Sequence, residues 1–229
     1  MLKVDINYIN LNNGKSNSNL LSQNNFVLKS NNIYTILGNN GSGKSTLLLA
    51  LAKMLDSNFK LKASVILDDV NIYDLKEKDA KKFISSNFKF VFQDATSSLD
   101  PLKKLKYYFM ILDCPDDAIE SELKYFQLPK FDVIKNMYPH ELSVGMVQRL
   151  SIIIALLSKP KILLMDEPTS AIDLPILNLL KIRLQKYSHD NKNIILLVTQ
   201  DLHFAKNTSD YVSYLSNGIL PKFIISVDY

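Results

Sequence analysis

A single cysteine, Cys114, in 229 residues rules out an intrachain disulfide and leaves no cysteine set for a zinc or iron–sulfur centre, which fits a reducing, cytosolic setting. No long block of like charge is present. The 27 Lys and Arg residues against 23 Asp and Glu give a net charge of +4, too small and too dispersed to demand an extended nucleic-acid surface. Long apolar runs are missing as well: the longest nearly apolar run, Leu150–Leu157, falls far short of the roughly 20 residues a membrane helix needs. Met1-Leu2-Lys3-Val4-Asp5 lacks the basic and apolar regions of a secretion signal, so the chain is expected neither to enter nor to cross a bilayer by itself. There is no internal repeat and no heptad run. What remains, 47% hydrophobic and 22% charged residues, is the composition of a folded chain with one substantial α/β core or two small lobes.

The apolar residues are distributed as strands and helices. Leu2–Leu11 alternates in part and is followed by Asn12-Asn13-Gly14, a turn signal, and by a polar Asn/Ser stretch to Asn25, which together predict an exposed β-lobe. The Asn richness of residues 7–40 is broken regularly by Leu, Ile, Val and Phe and receives no functional reading. Four short runs, Ile33–Leu37, Phe88–Phe92, Lys161–Met165 and Asn193–Thr199, have the Ile, Leu, Val and Phe density of strands buried on both faces, as in a parallel sheet between helices. Each run is followed by polar, chemically useful residues: Gly38, Gln93, Asp166 with Glu167, and Gln200. In open α/β sheets such groups gather at the carboxyl ends of strands. Between Ala95 and Leu142 the pattern becomes helical, with Leu102–Leu112, Asp116–Gln127 and Lys130–Met137 separated by prolines. This predicts an inserted helical lobe, in which Tyr107, Tyr108 and Phe109 either fill a small core or face a partner.

Three motifs carry chemistry. Gly38-Asn39-Asn40-Gly41-Ser42-Gly43-Lys44-Ser45-Thr46 lies between the first of those strands and an apolar helical run, Leu47–Ala52. A loop that wraps a phosphate chain must turn its backbone N–H groups inward, which needs Gly at the crowded and left-handed positions. Lys44 adds a cation for β- and γ-phosphates, Ser45 a hydroxyl for Mg²⁺, and the following helix the positive end of its dipole. Ile162-Leu163-Leu164-Met165-Asp166-Glu167-Pro168 delivers two adjacent carboxylates to a strand end, an arrangement that is costly without a cation. Asp166 is suited to hold Mg²⁺ through water and Glu167 to polarise the water that attacks a γ-phosphate. Leu142-Ser143-Val144-Gly145-Met146 opens a strongly apolar helix with Ser143 as its N-cap, and by itself says only that a helix starts there.

The order of phosphate loop, Val91-Phe92-Gln93, Leu142-Ser143-Val144-Gly145-Met146, Leu163-Leu164-Met165-Asp166-Glu167-Pro168 and Ser170-Ala171-Ile172-Asp173 resembles the ATP-binding cassette family over nearly the whole chain. Phe92-Gln93-Asp94 with Ser97–Pro101, and Tyr138-Pro139-His140-Glu141-Leu142-Ser143, look most like the cassettes of dipeptide, oligopeptide and nickel importers. The resemblance implies a P-loop NTPase fold with a mostly parallel buried sheet, an antiparallel β-lobe and an inserted helical lobe at about residues 95–142, all in one ATP-binding domain of residues 1–229. It implies ATP and Mg²⁺ as cofactors. Gly38 to Thr46 match the Walker A loop, Gln93 the Q-loop that meets Mg²⁺ and the attacking water, Asp166 and Glu167 the Walker B acid and the catalytic base, and Asp173 the D-loop. Ser143 and Gly145 match signature positions that contact ATP held by a second cassette, in a homodimer or heterodimer. Further implied partners are membrane permease subunits, docked on the helical lobe, and indirectly an extracytoplasmic substrate-binding protein. The implied place is the cytoplasmic face of the cell membrane, peripherally bound, with no nucleic-acid partner.

Several positions depart from the family pattern. Val144 replaces the first signature glycine, so a branched side chain stands where the backbone approaches a phosphate, and Gln200 replaces a histidine and cannot carry a positive charge. Leu11, with Tyr8 as a weaker substitute, stands where an aromatic usually stacks on adenine. These departures favour, beside an ATP-hydrolysing importer subunit for peptides or nickel, a weakly hydrolysing regulatory partner cassette. A third class, a cassette ATPase acting on nucleic acid, usually carries two cassettes or a coiled coil, and neither is present in this sequence.

Overall fold

The computed structural model describes residues 1–12, 17–112 and 114–228. The chain opens with β1 (Leu2–Asn12) and β2 (Asn17–Leu28), an antiparallel pair, and enters β3 (Asn32–Leu37) and α1 (Lys44–Leu51). It returns through β4 (Phe59–Leu67) and β5 (Val70–Asn71), and α2 (Glu77–Asn87) leads to β6 (Phe88–Val91). Helical pieces follow: α3 (Ala95–Ser98), α4 (Leu105–Met110), α5 (Asp116–Tyr125), α6 (Phe131–Ile134), a 3₁₀ turn at Pro139–Glu141, and α7 (Val144–Leu157). The chain then alternates, β7 (Ile162–Asp166), α8 (Leu174–Asn191), β8 (Ile194–Thr199), α9 (Leu202–Thr208), β9 (Tyr211–Tyr214) and β10 (Ile224–Ile225).

Two sheets result. The larger has the order β10-β9-β3-β8-β7-β6, parallel throughout except for β10 at its edge; the smaller, β2-β1-β4-β5, is antiparallel. The α/β class with a mostly parallel sheet, an antiparallel lobe and a helical insert therefore stands. Each of the four predicted buried strands is present, with ends shifted by a residue at most. The period of two explains why they carry apolar residues on both faces. Ile33, Leu163, Met165, Ile195 and Leu197 point into one core with α7, α8 and the helical insert, whereas Tyr34, Ile36, Leu164, Leu196 and Val198 point into a second core with α1 and the small sheet.

In the small sheet, Leu2, Val4 and Ile6 are buried between exposed Lys3 and Asp5. The alternation breaks at Asn7 and Tyr8, where the pairing of β1 with β4 shifts register; the extra residue returns Ile9 to the core. From Asn17 the Asn/Ser stretch up to Asn25 is a strand and is not wholly exposed. Asn24 is buried; its Nδ2 donates to Gly218 O at 3.0 Å and its Oδ1 accepts from Leu220 N at 2.6 Å, so an amide replaces an apolar residue by satisfying both ends. Asn13 and Gly14 of the predicted turn lie outside the described residues.

The aromatic trio of the helical insert divides. Phe109 is buried and meets Phe131 edge to face at 5.1 Å, Tyr108 donates its hydroxyl to Asp100 O at 3.1 Å, and Tyr107 is 45% exposed. Polar clamps tie the insert to the sheet layers: Arg183 on α8 makes a two-pronged ion pair with Glu122 on α5, and Tyr125 donates to Leu179 O at 3.0 Å. Arg149 on α7 donates to Gly145 O and Phe126 O, both at 3.0 Å. No helix among the described residues is long and apolar enough to cross a membrane.

Candidate active site

The phosphate-loop segment turns from β3 into α1 as its glycines require. Gly41 and Gly43 hold φ of 77° and 97°, the left-handed region where a Cβ is strained, and a Cβ on Gly38 would lie 2.8 Å from Leu215 O. Gly43 caps α1 without a side-chain hydrogen bond, which leaves the first N–H groups of the helix to whatever occupies the loop. Lys44 is 6% exposed, donates to Gly38 O at 2.8 Å and Asn39 O at 3.1 Å, and stands 3.7 Å from Glu167 Oε1. Asn39 is fixed from a second side, its Oδ1 accepting from the Tyr214 hydroxyl at 2.9 Å.

The acids come from the neighbouring strands. Asp166 ends β7 and is buried, with Ser45 at the start of α1 beside it. Burial pushes its carboxyl above the usual carboxylate range; the Ser45 hydroxyl opposes this, the adjacent Glu167 charge adds to it, and Lys44 opposes it. Glu167 is in the left-handed region at φ 42°, so the chain turns sharply as it leaves the strand and lays the carboxylate across the end of β8. There Glu167 Oε2 accepts from Thr199 Oγ1 at 2.9 Å and from the Gln200 backbone N–H at 3.4 Å. Asp166 Oδ1, Glu167 Oε1 and Ser42 Oγ are buried without a hydrogen-bond partner.

A cleft of about 230 Å³ gathers Asn40, Gly41, Gly43, Lys44, Ser45, Thr46, Gln93 and Glu167. Glu167, whose Oε1 has no hydrogen-bond partner, lines this cleft with its ion-pair partner Lys44 and the first residues of α1, whereas Asp166 is buried behind it and does not line the cleft. An anion fits the loop and a hard cation fits the acids. Among the described residues no set of three His, Cys, Asp or Glu side chains could hold a metal ion, so a cation here needs water or ligand oxygens to complete its shell.

Ser143 and Gly145 are placed elsewhere. Neither lines this cleft. Ser143 caps α7 by accepting from Met146 N at 3.3 Å, and Val144 beside it is 59% exposed. Gly145 is required within the chain itself, since a Cβ there would lie 2.9 Å from Ala171 O. Leu11 and Tyr8 do not line the cleft either; Leu20 of β2 does. Sequence reasoning missed Thr199 and the main chain of Gln200 as partners of Glu167. The available signal was that the run Asn193–Thr199 ends where β8 meets the acids.

The family model described as ABC transporter matches residues 21–170. The chain belongs to the ABC transporter family. Over 203 residues, 85% of its length, it is 30% identical to the oligopeptide transport ATP-binding protein OppD of Haemophilus influenzae, covering 63% of that protein. The figures are 30%, 85% and 60% for OppD of Escherichia coli, and 30%, 84% and 62% for the dipeptide transport ATP-binding protein DppD of Caldanaerobacter subterraneus. The chain thus spans about three fifths of the length of these curated relatives. Among solved structures, an ATP-binding cassette in a dimeric post-hydrolysis state bound to ADP and Pi superposes with a TM-score of 0.82 at 25% identity, 99% of each chain being covered. A dimeric bacterial ABC transporter cassette gives 0.81 at 26% identity, again over 99% of both chains. The family assignment and the cassette fold match the reading of the sequence motifs.

Proposed function

We propose that this ABC-family chain is the ATP-binding and ATP-hydrolysing subunit of a membrane importer of peptides, with residues 1–229 forming one cassette whose helical lobe covers about residues 95–142. One observation carries the reading: Glu167 is fixed through Oε2, keeps Oε1 without a hydrogen bond, and lines one cleft with Gln93, Lys44 and the phosphate loop. The peptide class rests on the printed names of the relatives, oligopeptide and dipeptide transport ATP-binding proteins.

In this reading the backbone N–H groups of Gly38–Thr46 and the Lys44 ammonium bind the phosphates of ATP, the α1 dipole adding to both. Ser45 and Asp166, with Gln93, would hold Mg²⁺, which neutralises charge on the β- and γ-phosphates. Glu167 Oε1 accepts a hydrogen bond from the attacking water and orients it, and Gln93, which lines the same cleft, helps to hold that water. Ser143, exposed at the N-cap of α7, and Gly145, half-buried in its first turn, serve the ATP of a second cassette. The helical lobe receives the membrane permease, fed by a substrate-binding protein outside, so the chain works at the cytoplasmic face of the membrane.

A slow, regulatory cassette is the second reading, and Val144 with Gln200 favours it. The main chain of Gln200, not its side chain, contacts Glu167, so this departure leaves the acid's placement intact. The test is Glu167→Gln in the full chain: ATP affinity is retained and steady-state phosphate release falls by about 10²–10⁴-fold, the range for losing a positioned general base. Equal turnover, above that of a Lys44→Ala control, would overturn the assignment.

A further inference from the structure

We infer that Thr199 is the positioning residue that selects which oxygen of Glu167 is free to act, an inference that rests on the hydrolytic reading above. Thr199 is fully buried at the end of β8, and its hydroxyl has two partners. Oγ1 donates to Glu167 Oε2 at 2.9 Å and accepts the Asp201 backbone N–H at 3.0 Å. Its single proton is therefore committed to the carboxylate, because the Asp201 N–H can only donate and the carboxylate oxygen can only accept. The rotor has one orientation.

The geometry explains why a hydroxyl is needed there. Glu167 leaves β7 at φ 42°, and its own N–H donates to Val198 O at 2.9 Å, so the backbone is pinned while the side chain still has three torsions. Lys44 at 3.7 Å attracts the carboxylate from beyond hydrogen-bond distance, while two of its three protons go to Gly38 O and Asn39 O. Thr199 and the Gln200 N–H, converging on Oε2, are the contacts that choose a rotamer and leave Oε1 toward Lys44. Gln200 is exposed and its hydrogen bond to the acid comes from its backbone N–H, so the residue type at 200 does not set this placement; the buried hydroxyl before it does.

Val has the shape of Thr without the donor, which makes Thr199→Val the test. Steady-state phosphate release from the full chain is expected to fall by about 10- to 100-fold in kcat, the scale of a misplaced reacting group, with KM for ATP within about twofold of the parent. Thr199→Ser, which keeps the hydroxyl, restores kcat to within about threefold. A packing role would not give this split. In a Glu167→Gln background the further loss on Thr199→Val is expected to vanish, because the two groups act as one unit. Thr199→Ala carries the same comparison if the Val variant does not accumulate folded. Full activity of Thr199→Val, failure of Ser to rescue, or a loss of equal size in both backgrounds would overturn the inference while leaving Glu167 as the base. No effect of Glu167→Gln alone would instead overturn the hydrolytic reading.

Discussion

Truncating Lys44 should damage both the empty cassette and its nucleotide complex, by amounts the structure separates. The ammonium is 6% exposed and 3.7 Å from Glu167 Oε1. At an effective dielectric constant of about 20 that ion pair is worth about 4.5 kcal/mol gross, most of it offset by desolvation of both charges. Removing one partner is the costly direction, since Glu167 and Asp166 then stay buried with no cation; about 3 kcal/mol is the expected loss. For a chain of this size that lowers Tm by about 6–12 °C in Lys44→Ala. With ATP, a charge-assisted hydrogen bond to phosphate worth about 1.5–3 kcal/mol disappears as well, which weakens binding by about 10- to 100-fold. Bound ligand stabilises the parent more than the variant, so the Tm gap widens when ATP is added. Thermal denaturation with and without ATP, beside isothermal titration, reads both terms. An equal gap in the two conditions with unchanged affinity would mean that Lys44 only braces the loop, and the phosphate site would be wrong.

Asp166 gives a pH signature. Its folded value lies above the unfolded one because burial disfavours the charge, so the stabilisation linked to its protonated form is present below the unfolded value and is lost as pH rises through the folded one. Asp166→Asn is therefore expected to melt higher than the parent at neutral pH without nucleotide, with the difference shrinking toward acid; a difference that is flat across a pH series would refute this. Gln200→His is expected to raise phosphate release by supplying a group that can carry positive charge. Val144→Gly should add to it when the first turn of α7 meets another cassette's ATP, and it should cost about 1 kcal/mol or less of stability, since Val144 is 59% exposed. The parent, the two single variants and the double variant assayed side by side decide it, and a parent already as fast as the variants would make both departures tolerated.

The sequence by itself determined whatever is local. Gly41 and Gly43 announce left-handed turns, Ser143 announces a helix start by its own capping bond, and the double-sided apolarity of Ile33–Leu37, Lys161–Met165 and Asn193–Thr199 announces a buried parallel sheet. Strand ends were legible to about one residue because a polar residue after a buried run must find solvent or a partner. Only the tertiary structure decided who the partners are. Ser45 reaches Asp166, Lys44 reaches Glu167, and Thr199 reaches Glu167 because β3, β7 and β8 lie side by side in register, an adjacency that no spacing along the chain encodes. The same holds for Asn24, whose burial follows from Gly218 and Leu220 closing over β2, and for Gly145, which needs its missing Cβ because of Ala171 O. A residue's backbone preference is written at its own position, whereas the hydrogen bond that orients its side chain is written nearly anywhere else in the chain.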